Sequence, residues 1–123
     1  MFDGNMHESD FFEDIAVSIE SWVKAAGDAL TKPETDLVWV EEQEPYRNLQ
    51  RALAAAGVNG DDLKKVFAEC LRGFAVSILT SIDGGTALAE KGRVHLVDED
   101  GNNLGESLHD GFVGYLLESG RLR

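Results

Sequence analysis

The chain has 123 residues, 43% of them hydrophobic and 28% charged, which suits one globular domain and excludes long disorder or a low-complexity tract. Its formal net charge is −12; such a chain repels phosphate backbones and anionic headgroups, which excludes nucleic-acid or membrane-surface binding through a general electrostatic field. One cysteine, Cys70, rules out an intrachain disulfide, and no Cys/His spacing supports a zinc site.

The acidity is uneven. Residues 1–44 carry 12 acids against Lys24 and Lys32, residues 45–82 are slightly basic, and residues 83–123 are again acidic. Residues 1–8 are polar, lack a basic or long apolar stretch, and read as a flexible tail ahead of one domain at 9–123. No window approaches the roughly 20 apolar residues of a membrane span. A reducing, cytoplasmic setting is the expectation.

A first helix is predicted from Ser9 or Asp10, where Asp10 and Glu13 have capping-box spacing. Phe12, Ile15, Ile19, Trp22, Val23 and Ala26 define its apolar face, and it fades between Gly27 and Thr31, ahead of Pro33. Leu37-Val38-Trp39-Val40 is too short for periodicity to decide between strand and helix. Pro45 opens a second helix with Tyr46, Leu49 and Leu53 on one stripe, and Gly57 caps it.

The third helix follows Asn59-Gly60. Leu63, Val66, Phe67, Cys70, Leu71, Phe74, Ala75, Ile78, Leu79 and Ile82 recur at three- and four-residue steps, and the run from Phe74 is apolar on nearly every side. A helix apolar all round is expected to be buried, which makes Cys70 an inert buried thiol and Gly73 a point of close helix contact. Arg93 to Val97 alternates as a strand, turns at residues 98–103 and returns from Leu104. Ser107 with Asp110 caps a last helix carrying Leu108, Phe112, Leu116 and Leu117. The fold expected is α+β and predominantly α: about four helices packed around a central buried helix at about 61–82, with one small β-hairpin at about 93–106.

No catalytic motif is complete. Asp98, Asp100 and Asn102 match the first ligands of a calcium loop, but Asn103 stands where the loop needs glycine and His109 where it needs a bidentate acid. Asp83-Gly84-Gly85-Thr86 ends a helix rather than starting one and lacks a Walker lysine. With His95, His109 and Asp110 it forms the one combination from which a pocket or an acid–base site can be drawn. No cofactor or metal is implied.

The segment most suited to a partner is residues 34–44, where Asp36, Glu41, Glu42 and Glu44 surround Trp39, with Glu34 and Tyr46 alongside. An aromatic anchor with a charged rim is how protein interfaces concentrate binding energy, although a large aromatic usually buries most of its area. The functional expectation is a small acidic protein acting by contact with a basic protein, in the manner of an immunity protein or antitoxin. A small enzyme or ligand-binding domain built on the Asp83 loop, and a structural homo-oligomer such as a homodimer, are the alternatives.

Overall fold

A computed structural model describes residues 5–123. Residues 1–4 of the expected tail lie outside the described residues. The elements are α1 (Glu8–Thr31), α2 (Gln43–Ala56), α3 (Gly60–Ile82), a 3-10 turn (Ala87–Glu90) and α4 (Leu108–Glu118). The chain divides into two compact units, residues 1–17 with 72–123 and residues 18–71.

In the first unit, Phe12 and Ala16 of α1, Leu79 of α3, and Leu108, Phe112 and Leu116 of α4 are buried. The Phe12 and Phe112 rings lie 5.7 Å apart and Phe12 and Tyr115 6.1 Å apart, both tilted. Such pairs add about 0.5–1.5 kcal/mol beyond the area they remove from water. Arg121 grips Glu13 with both guanidinium nitrogens, at 2.8 and 2.9 Å, and Tyr115 donates to the same carboxylate. Those bonds hold the Glu13 carboxyl below its ordinary range, the Arg121 bond contributing most. The start of α1 shows half of a capping box, in a different register from the one expected. The His7 N–H donates to Asp10 Oδ2 at 2.9 Å, so Asp10 acts as the third helical residue and not as the cap.

In the second unit, Ala29, Leu30 and Leu37 are the buried apolar residues. Asp28 is buried with them and answered by three lysines: Lys24 at 2.8 Å, Lys64 at 3.2 Å and Lys32 at 3.4 Å. The Lys24 hydrogen bond, helped by Lys64 and opposed by burial, brings the Asp28 carboxyl down to about 2. Gln50, also buried, donates to the Ala29 carbonyl at 2.6 Å, which satisfies a polar group that would otherwise cost free energy in the interior. Gly57 ends α2 at φ +67°, as its position predicted, and its own N–H and that of Val58 return to Ala54 and Leu53 carbonyls.

Helix number and order follow the expectation, but the α+β class does not. No strand forms among the described residues; Val97 and Asn103 make one isolated antiparallel bridge. The turn itself is present, with Asp98 Oδ1 accepting the Asp100 and Asn102 N–H groups at 2.9 Å each. What fails is the return arm. After Leu104 bonds back to Leu96 at 2.9 Å, the Gly105 N–H goes to Asn103 Oδ1 at 3.0 Å, and α4 starts at Leu108. Too little chain remains to pair with Arg93, Val94 and His95, and a strand without a ladder is not a strand. Leu37–Val40 is likewise neither strand nor helix but a turn, closed by Val40 N–H to the Leu37 carbonyl at 3.2 Å.

The burial of the third helix is the second correction. The helix forms over the predicted residues, yet Leu79 is the one residue of α3 that is fully buried. Val66, Cys70, Phe74 and Ile78 are exposed, Phe74 to 65%. Among the described residues, a Cβ built at Gly73 meets nothing within 4 Å, so no contact there explains that glycine. The apolar stripe on α3 is wider than the surfaces that pack against it, and the surplus faces outward.

Candidate functional site

The second unit gathers its exposed aromatics on one surface. α1 stops at Thr31, whose hydroxyl bonds the Gly27 carbonyl at 2.7 Å. The Thr35 hydroxyl reaches the Asp28 carbonyl at 3.0 Å, and the Thr35 N–H bonds the Lys32 carbonyl at 3.0 Å. These bonds fold the chain back just beyond the helix end. Leu37 then enters the core, and Asp36 Oδ1 accepts the Val38 N–H at 3.1 Å, an Asx turn. With Leu37 anchored inward, Val38 and Trp39 are carried outward. Arg47 fixes the start of α2 to this segment by donating to the Pro33 carbonyl at 2.8 Å and to Gln50 Oε1 at 3.1 Å.

Trp39 consequently stands between Trp22 of α1 and Tyr46 of α2. Its ring centroid is 5.4 Å from Trp22, with the planes at 76°, and 5.7 Å from Tyr46, with the planes at 80°. Both are edge-to-face pairs, which orient the rings as well as packing them. The cluster stays accessible: Trp22 is 53% and Trp39 40% exposed. Beside it, Ser21, Trp22, Ala25 and Trp39 line a slot of about 190 Å³.

The charges around this cluster are asymmetric. Asp36, Glu41, Glu42 and Glu44 are all exposed, and none forms an ion pair among the described residues. Five of the six bases of the same unit have a partner within the unit, and the sixth, Lys65, is exposed. Lys24, Lys32 and Lys64 surround Asp28, Arg47 binds neutral oxygens, and Arg51 binds Asn48. The segment that carries Trp39 is therefore acidic and exposed, with an aromatic residue at its centre.

Sequence reasoning located Trp39, Tyr46 and the acids but assigned Trp22 to the buried face of α1. Trp22 falls at the margin of the stripe set by Phe12, Ile15, Ile19, Val23 and Ala26, and a marginal position is where a large ring can leave the core.

The other sequence-derived cluster, in the first unit, is brought together in part. Asp83, 6% exposed at its side chain, accepts the Leu108 and His109 N–H groups at 2.9 and 2.8 Å and also bonds His109 Nδ1. His109 Nε2 faces Asp110 Oδ1 at 3.5 Å, and the Ser107 hydroxyl donates to the other Asp110 oxygen at 3.2 Å. Ser107 occupies the cap position of α4, but its side chain makes no capping bond; Asp83 supplies the cap from 25 residues away. Burial pushes the Asp83 carboxyl up, and the bonds from His109 and Leu108 more than offset it, leaving it below the ordinary range. The Asp83 bond raises His109 above its ordinary value.

His95 is exposed and makes no hydrogen bond with this cluster among the described residues, and Thr86 is exposed at the head of the 3-10 turn. The two glycines admit parts of the protein itself. Gly84, at φ +83°, lies under the Arg93 guanidinium, which donates to the Asp83 carbonyl at 2.8 Å, and a Cβ on Gly85 would meet the Thr80 methyl at 2.8 Å. Chemically, Asp83 orients one imidazole and closes a helix end. No hydroxyl or thiol bonds His109 Nε2 among the described residues, and among them no group of three or more His, Cys, Asp or Glu is placed to hold a metal ion. No helix among the described residues is long and apolar enough to cross a membrane. No family model, curated protein or solved structure matches this chain.

Proposed function

We propose that this protein works by protein–protein contact, offering Trp39 and its neighbours Trp22 and Tyr46 to a basic partner with Asp36, Glu41, Glu42 and Glu44 as the charged rim. Inhibition of a basic enzyme, as an immunity protein or antitoxin does, is the concrete form of this activity. The supporting observation is that two tryptophans pack edge to face yet remain about half exposed, beside a segment whose acids form no ion pair among the described residues. Buried aromatic anchors supply most of the affinity of such surfaces, and rim charges steer the encounter and reject wrong partners. The test is capture from a lysate of the source cell at low salt, with the wild type and Glu41→Lys/Glu42→Lys as baits. Wild type retains a protein of basic isoelectric point, and the double reversal reduces its recovery by roughly tenfold or more. Equal recovery by both baits removes the reading.

A second reading, self-association, draws on a separate observation. Val66, Cys70, Phe74 and Ile78 recur every four residues on α3 and are all exposed, and Gly73 between them leaves room for another backbone. A mid-helix glycine costs about 1 kcal/mol against alanine, which a close contact between helices can offset. Sedimentation over a dilution series is expected to show wild type heavier than a monomer at the high end and Phe74→Glu monomeric throughout. A wild type that sediments as a monomer at every concentration excludes it.

A further inference from the structure

The geometry points to a defined occupant for the slot beside Trp39: the cationic head of a lysine or arginine side chain from the basic partner, held against the faces of Trp22 and Trp39. This assignment rests on the contact surface proposed above and names what that surface recognises.

Three observations carry it. First, the two indole planes meet at 76° with centroids 5.4 Å apart. Rings so nearly perpendicular form a corner, and a cation set there against an indole face meets its negative quadrupole density. Tyr46, at 80° to Trp39 with centroids 5.7 Å apart, packs on the same ring. Second, the slot has a volume of about 190 Å³ and is lined by Ser21, Trp22, Ala25 and Trp39. That is below the roughly 300–1,000 Å³ of sites for whole small molecules, so it is sized for one side chain. Its lining is mainly apolar, which suits the aliphatic stem of lysine or arginine, and the Ser21 hydroxyl can accept from the charged head. Third, the lining holds no base, and two exposed acids, Glu41 and Glu42, follow Trp39 across Val40. Lys24, the closest lysine on α1, is engaged by Asp28 at 2.8 Å and does not compete for the corner. An acidic or neutral side chain would gain the apolar contact alone; a cation gains the quadrupole and the surrounding field as well.

The probes are Nα-acetyl-lysine amide and Nα-acetyl-arginine amide, with Nα-acetyl-norleucine amide as the uncharged counterpart of nearly the same shape. Binding is followed by the indole N–H resonances of Trp22 and Trp39 and by tryptophan fluorescence at near-physiological salt. Both cationic probes are expected to shift both indole signals, with a preference of roughly 3- to 30-fold over the norleucine amide. Trp22→Leu keeps an apolar wall and the net charge but removes one π-face, and it is expected to abolish the preference. Trp22 is half exposed, so the variant folds, and its circular dichroism melt checks that. Equal binding of all three probes overturns the assignment, as does a preference that survives Trp22→Leu. The outcome is independent of the capture experiment: a partner lost by charge reversal while the probes show no preference leaves the contact surface standing and removes only the cation slot.

Discussion

Asp83→Ala is expected to destabilise the protein by about 2–4 kcal/mol. Bonds to a charged acceptor contribute about 1.5–3 kcal/mol, and a buried donor left unpaired costs about 1–3 kcal/mol. Asp83 accepts two backbone N–H groups at the start of α4, at 2.9 and 2.8 Å, and the His109 imidazole. Its removal strands all three donors and takes a negative charge from the positive end of a helix. For a chain of this size the loss lowers the midpoint of a thermal melt by roughly 8–15 °C. Asp83→Asn keeps one acceptor and falls between the two. A melt of Asp83→Ala within about 2 °C of wild type would mean that the cap is idle.

The same pair sets a pH signature whose sign can be worked out. The folded Asp83 carboxyl lies below its ordinary 3.8, so its contribution is present above that value and fades as pH falls through the folded one. The folded His109 lies above its ordinary 6.5, so its contribution is full below 6.5 and is lost as pH rises through the folded value. Both are therefore in force between about pH 4 and 6.5. Asp28 and Glu13 share the acid limb, since both carboxyls are also lowered. His109 shapes the limb just above 6.5, and that slope should flatten in Asp83→Ala while the acid limb persists through Asp28.

How much of this was readable beforehand divides along a physical line. Local signals were sufficient where the cause is local. α3 forms over the predicted residues because its apolar positions recur at helical steps, and Gly57 caps α2 because it alone can take φ +67° there without strain. Signals failed where the cause is distant. Periodicity shows that a helix has an apolar stripe but not how wide a neighbour will cover it, so α3 was read as a buried rod while Phe74 stands exposed. Alternation along Arg93–Val97 described one strand of a hairpin and could not reveal that Gly105 would turn inward and α4 begin before a partner strand had formed. The α4 cap was sought in Ser107, within the helix's own sequence neighbourhood, whereas the acceptor is Asp83. The acids around Trp39 were legible as a composition, but Trp22, the ring that packs on Trp39, lies 17 positions earlier and is joined to it only by the fold.

Phe112→Ala is expected to cost about 3–5 kcal/mol, the largest effect of any single change argued for this protein. Phe112 is 0% exposed and its ring packs on Phe12 at 5.7 Å, and Leu108, Leu116 and Leu79 of the same unit are buried as well. Truncation removes the transfer energy of the ring, forfeits an aromatic pair and leaves a cavity whose walls are helices and relax only partly. Gly111 marks how tight the packing is, since a Cβ there would sit 3.1 Å from the Phe12 ring. Phe74→Ala provides the contrast. Both phenylalanines lie in an apolar helical stripe, and the sequence favours Phe74 because its helix is longer and the run from Phe74 is apolar on nearly every side. With 65% of Phe74 in solvent, most of its area is never removed from water in the single chain, and its truncation should change unfolding by less than about 1 kcal/mol. Urea unfolding of the two variants at low protein concentration, where self-association is absent, separates the cases. Similar midpoints would place Phe74 in the core and would remove with it the exposed α3 face on which the self-association reading depends.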